Sequence, residues 1–174
     1  KVKEMRANGI DVISLSIGEP DFNIPEKAKE YGKKSLDDNK TKYDFPAGIP
    51  ELRQEICKKL KRENHIDYTP DQIVLSSGAK NSITNVLLVT TDPGSEVLLP
   101  LPYWVSYSEM VKVVNAVPVE VKTSKENNFK VTRENLLEAI TDKTRLLILT
   151  NPSNPTGAVY TKEELEEIAA VCLE

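Results

Sequence analysis

Three short stretches hold residue types that bind and orient small ligands. The first is Asn151-Pro152-Ser153-Asn154-Pro155-Thr156-Gly157. Prolines fix φ and remove N–H donors, so this segment cannot continue the apolar run before it. Asn154 offers a neutral amide that can hold a phenolate oxygen or a carboxylate. The second stretch, Pro100-Leu101-Pro102-Tyr103-Trp104, carries the only tryptophan of the chain. Placed beside a crevice, Trp104 can stack on a flat ring; placed inward, it is a core residue. The third, Ser76-Ser77-Gly78-Ala79-Lys80, is small and opens a helix. A helix N-terminus with free N–H groups and a positive dipole end receives phosphate, and Ser77 and Lys80 add a hydroxyl and a charge. It is not a P-loop, since neither GxxxxGK[ST] nor GxGxxG occurs, and a plain strand–helix turn also fits it. Together the three stretches suggest a phosphorylated aromatic ligand.

The elements around them alternate. Apolar runs predict strands over residues 72–75, 96–99, 116–121 and 145–150. Helical patterns fill the gaps: 81–90, with Ile83, Val86 and Leu87 inward; a segment after Trp104 to about residue 113; and 132–140, capped by Thr132. A last helix starts at Thr161, where Thr161 and Glu164 form a capping box. Strands alternating with helices at this spacing predict βαβ units and a parallel sheet. In such sheets the loops at the carboxyl ends of the strands form the ligand crevice, so the three stretches should converge.

Upstream the pattern is different. A β-rich run over 11–17 stops at Gly18-Glu19-Pro20-Asp21. Gly18 can offer an unobstructed backbone N–H to an anion, and it equally fits a plain turn. Helices are predicted over 25–38, with Pro25 near its first turn, and over 50–63. In the second, Leu52, Ile56 and Leu60 share a face, and Glu55 and Lys59 form an i,i+4 pair. Strand–helix alternation is missing before residue 70. The division expected is therefore an N-terminal arm or small-domain segment over 1–49, and the first part of a large domain over 50–174.

Composition narrows the classes. A chain of 174 residues is long enough for one domain with a real core. Its net charge of −4 comes with no Lys/Arg stripe, which argues against nucleic acid as a partner. No apolar run approaches the roughly 20 residues of a membrane helix, so no membrane partner is expected. Residues 1–8 are too polar for a signal peptide. Cys57 and Cys172 form no CxxC, and His65 has no ligand spacing to either, so neither a disulfide scaffold nor a metal site is expected. Cys57 reads as a small buried hydrophobe, and His65 as a solvated loop residue. A reducing, cytoplasmic setting fits this usage.

The segments Ile17-Gly18-Glu19-Pro20-Asp21-Phe22, residues 43–53, Ser77-Gly78-Ala79-Lys80, Pro102-Tyr103-Trp104-Val105-Ser106-Tyr107 and residues 151–157 come in an order and spacing that resembles the class I aminotransferases. These are pyridoxal-phosphate enzymes of fold type I, and the nearest resemblance is to their bacterial aspartate branch. It extends over essentially the whole chain. The resemblance implies an α/β fold: the first part of a mostly parallel sheet with flanking helices, and an N-terminal small-domain segment. It also implies pyridoxal 5'-phosphate as cofactor, and amino-group transfer from an L-amino acid, aspartate-like, to a 2-oxo acid. By position, Gly78, Ala79 and Lys80 match the family's phosphate-binding turn. Trp104 matches the aromatic stacked on the pyridine ring. Asn154 matches the residue that hydrogen-bonds the ring's 3-oxygen near the substrate carboxylate. Gly18 matches the backbone contact to that carboxylate, so Gly18, Trp104 and Asn154 are the expected substrate contacts. Tyr43 matches a tyrosine that reaches the phosphate of the neighbouring subunit, which implies a homodimer with shared sites.

The family's cofactor-bearing lysine, the aspartate at the ring nitrogen and the arginine for the α-carboxylate match no position here. Lys125 sits in a polar loop well before the family's lysine. The chain is therefore expected to be part of a longer protein, with no catalytic residue of its own and no activity alone. Two rivals share the resemblance: a pyridoxal-phosphate carbon–sulfur lyase, and an aminotransferase-like sensing domain of a transcription regulator.

Overall fold

A computed structural model describes residues 1–13 and 18–174. The chain divides into two compact units, Lys1–Pro46 and Ala47–Glu174. The first holds helices α1 (Val2–Ala7) and α2 (Glu26–Asp37), neither with a buried residue. Pro25 stands one position before α2 as its N-cap, and Lys29 pairs with Glu26 in its first turn at 2.6 Å. Of the strand expected over 11–17, the last four positions lie outside the described residues, and 11–13 have no regular structure.

The second unit is a three-layer α/β arrangement. Strands β1 (Glu96–Pro100), β2 (Val117–Val121) and β3 (Thr144–Leu147) form a parallel sheet in the order β2-β1-β3. In register, Leu98 faces Val119 on one side and Leu147 on the other. The central strand is apolar on both faces: Val97, Leu98 and Leu99 are 0, 2 and 0% exposed. Successive side chains point to opposite faces, which splits the core in two. Val97 and Leu99 pack with Leu87 of α4 (Ala79–Thr90) and with Tyr107, Met110 and Val111 of α5 (Ser106–Val113). Leu98 and Val121 pack with Leu136 of α6 (Arg133–Ala139) and with Ile168 and Val171 of α7 (Lys162–Leu173). Each such side chain contributes roughly 1.5–3 kcal/mol on leaving water.

Helix starts follow their caps. The Thr132 side chain accepts from Asn135 N, and the Thr161 side chain accepts from Glu164 N, each within a capping box. Helix α3 (Pro50–Lys59) begins on a proline and widens into a π-helical turn over Leu60–Asn64. His65 follows, exposed, with φ +57°.

Several expectations are corrected. Residues 72–75 are not a strand. Pro70–Gln72 is a 3-10 turn, Ile73 is extended, and Leu75 N donates to Ala47 O at 2.9 Å instead of joining the sheet. The chain passes so close there that a Cβ on Gly48 would lie 2.4 Å from Leu75 Cδ1, so glycine is required at that position. The fourth expected strand is shorter than 145–150, although Ile148 N still donates to Leu98 O. Val86, expected inward, is 51% exposed, whereas Leu87 carries the helix's buried contact. Glu55 pairs with Lys58 at 2.7 Å rather than with Lys59, which pairs with Glu63 at 3.4 Å. Cys57 is half-buried rather than buried. Among the described residues no helix is long and apolar enough to cross a membrane, and no three His, Cys, Asp or Glu cluster as a metal site would need.

Candidate functional site

Gly78 precedes α4 with φ +84° and ψ 164°, a backbone region open to glycine almost alone. A Cβ there would meet nothing within 4 Å, so the backbone conformation, not space, calls for glycine. This turn aims the start of α4 outward. The N–H groups of Ala79 and Lys80 have no intrahelical acceptor by helix geometry, and both residues are exposed. Asn81 N and Ser82 N already donate to Gly78 O, at 3.1 and 3.2 Å.

The Lys80 ammonium lies 4.9 Å from the centroid of the Trp104 ring, which ties the α4 turn to the loop leaving β1. That loop is pinned to its neighbours. Leu101 N donates to Val121 O at 2.9 Å, the Thr123 hydroxyl donates to Leu101 O, and the Tyr103 hydroxyl donates to Glu120 Oε1 at 3.0 Å. Burial pushes the Tyr103 phenol above its ordinary range, and the Glu120 carboxylate adds to the rise. Trp104 is half-buried at the margin of the α4–α5 core.

Tyr107 continues the connection. Its ring meets Trp104 edge-on, with centroids 5.4 Å apart and an interplanar angle of 87°. Its hydroxyl lies 2.7 Å from Thr150 Oγ1, immediately before the loop that leaves β3. In that loop Gly157 N donates to Ser153 O and Ser153 N donates to Ala158 O, both at 2.8 Å. Asn151 Oδ1 accepts from Tyr160 N at 3.0 Å. The Leu101–Pro102, Asn151–Pro152 and Asn154–Pro155 peptide bonds are cis. Tyr107, Thr150, Ser153, Asn154 and Tyr160 border one cavity of about 20 Å³.

Lys80, in the first turn of α4, and the loops of Trp104 and Asn154 are thus joined in series at one end of the sheet. The α4 turn takes part although the segment before it is not a strand. Gly18 and Tyr43 lie in the first unit. Gly18 is exposed, and the Tyr43 side chain is fully exposed at 107%. Lys125 is exposed in a 3-10 turn, Lys125–Asn127. Sequence reasoning assigned no role to Tyr107 or Thr150. A signal for Tyr107 was present, because it stands one helical turn after Trp104. Nothing local marks its bond to Thr150.

Chemically, the array offers backbone N–H groups and an ammonium for an anion, a flat indole for a ring, and an amide for an oxygen. That donor set fits a phosphorylated aromatic molecule.

Residues 10–174 match the model of the family described as "Aminotransferase class I and II". The chain is 48% identical over its full length to an aspartate aminotransferase of Bacillus sp. strain YM-2, and spans 44% of that protein. It is 47% identical over its full length to a probable aspartate/prephenate aminotransferase of Aquifex aeolicus, again 44% of that protein's length. Among solved structures, it superposes on Thermus thermophilus aspartate aminotransferase with maleate at a TM-score of 0.92 and 44% identity, covering 98% of this chain and 45% of that one. The chain therefore spans less than half the length of these relatives. A parallel sheet between two helical layers, three loops gathered at its end and a family match over nearly every residue agree: the chain belongs to the class I and II aminotransferases.

Proposed function

We propose that the intact protein is an amino-acid aminotransferase. It moves the amino group of an L-amino acid, aspartate-like, to a 2-oxo acid with the help of pyridoxal 5'-phosphate. The observation that carries this reading is the linkage of Lys80, Trp104 and the Asn154 loop through contacts of 4.9, 5.4 and 2.7 Å. Support for the substrate class comes from the relatives, which are aspartate and aspartate/prephenate aminotransferases. Two unpaired thiols, Cys57 and Cys172, support a cytoplasmic setting.

When bound, the cofactor supplies an electron sink for bonds breaking at the substrate Cα. This chain's residues bind and orient. The Gly78 turn presents the Ala79 and Lys80 N–H groups to the phosphate, and the helix dipole favours the negative charge. Trp104 limits the tilt of the ring by stacking. The Asn154 amide would donate to the ring's 3-oxygen, and Gly18, assigned by resemblance alone, would offer its N–H to the substrate carboxylate. Tyr43 donates its phenolic hydrogen to the phosphate held by the partner subunit, so that a homodimer shares its two sites. We assign no residue of this chain to covalent attachment of the cofactor.

The test is product stoichiometry. The intact protein, supplied with pyridoxal phosphate, L-aspartate and 2-oxoglutarate, should form oxaloacetate and glutamate in equal amounts. Pyruvate and ammonia released from a sulfur amino acid without a 2-oxo acid would indicate a lyase. Cofactor binding without turnover would indicate a sensor.

A further inference from the structure

Trp104 and Asn154 are assigned above to two contacts with one ring, so their loops must keep a fixed spacing. Tyr107 bridges them. It is 8% exposed, its ring stands edge-on to Trp104, and its hydroxyl is 2.7 Å from Thr150 Oγ1. Thr150 directly precedes a loop whose internal bonds, Gly157 N to Ser153 O and Ser153 N to Ala158 O, make it move as a unit. A restraint at Thr150 is thereby passed to Asn154, which borders the same cavity as Tyr107. At that cavity a water could satisfy either hydroxyl, so mere satisfaction of polar groups does not demand that the two bond each other.

We propose that Tyr107 is a positioning residue: through its hydroxyl bond to Thr150 and its ring contact with Trp104, it sets the spacing between the stacking indole and the Asn154 loop. The role rests on its contacts with Trp104 and Thr150 alone. The link to catalysis rests on the proposed aminotransferase function; the mechanical coupling does not.

The experiment incorporates 5-fluorotryptophan into the intact, cofactor-free protein. The Trp104 resonance is assigned by its loss in Trp104→Phe. Tyr107→Phe keeps the ring and removes the hydroxyl. Thr150→Val removes the other hydroxyl without touching Trp104, and Thr150→Ser retains it. Both Tyr107→Phe and Thr150→Val should displace or broaden the Trp104 resonance, the double variant no more than the larger single one, while Thr150→Ser keeps the wild-type position. In the same set, the dissociation constant for pyridoxal 5'-phosphate should rise about three- to tenfold in the first two variants, without additivity, and stay near wild type in Thr150→Ser. A general loss of stability moves neither readout in protein that remains folded. A Trp104 resonance unmoved by Thr150→Val, or additive effects in the double variant, would overturn the proposal. If wild-type protein failed to bind pyridoxal phosphate, the functional reading would fall, and the resonance pattern would still decide the coupling.

Discussion

At Gly78 the demand of the site falls on the backbone. Its φ of +84° with ψ near 164° is costly for any residue with a Cβ, although space for one is present. Gly78→Ala should therefore destabilise the protein by about 1–3 kcal/mol, or relax the turn and turn the α4 N–H groups away from their ligand. Denaturant midpoints combined with cofactor titration separate these outcomes, and a variant unchanged in both would refute the role given to the turn. Tyr43 is the opposite case. Its side chain is fully exposed, so its phenolic oxygen contributes little to folding. Tyr43→Phe in the intact protein should leave thermal stability near wild type. It should weaken cofactor retention by roughly 1.5–3 kcal/mol, the value of one hydrogen bond to a charged group. Equal retention in both proteins would remove Tyr43 from the site.

Among the elements, the junction of α7 with the turn before α6 should respond to pH. Glu164 Oε2 accepts from Thr161 N at 2.7 Å, and the Lys130 ammonium pairs with its other oxygen. The Lys130 contact and then the Thr161 amide hold the Glu164 carboxyl below its usual 4.5. A carboxyl depressed in the folded state adds stability above its unfolded value, and that stability is lost as pH falls through the folded value. Glu164→Gln should thus lower the unfolding midpoint near neutral pH and flatten its fall below about pH 4.5; an unchanged slope would show that the pair is spectator. Elements whose causes are local were legible in the sequence. Thr132 and Thr161 announce their helices because a cap needs only its own first turn, and β1 reads as buried because its apolar run is uninterrupted. Residues 72–75 mislead because an apolar run does not say whether a strand partner lies beside it; none of the four is buried, and Val74 is exposed. Val86 misleads because helical period alone does not say which flank of the stripe its neighbours cover. In the site, Gly78, Trp104 and Asn154 could be singled out by residue type and by resemblance. The role of Tyr107 could not, because it depends on a hydroxyl contact 43 positions along the chain.

For the whole molecule, the expected shared site can be tested by complementation in mixed dimers of the intact protein, with Tyr43→Phe in one subunit and Asn154→Ala in the other. If Tyr43 serves its partner, both lesions meet in one site and the second site keeps wild-type cofactor affinity. If it serves its own subunit, each site carries one lesion and neither is wild type, which would refute sharing. We assign the end of the sheet where the α4 turn, Trp104 and the Asn154 loop are joined to pyridoxal phosphate. This assignment is tested most directly by the crystal structure of the intact protein with the cofactor bound. The phosphate should lie on the N–H groups of Ala79 and Lys80, the ring should stack on Trp104, and the 3-oxygen should fall within hydrogen-bond reach of the Asn154 amide. A cofactor seated elsewhere, or a ring that leaves Trp104 and Asn154 untouched, would contradict the assignment.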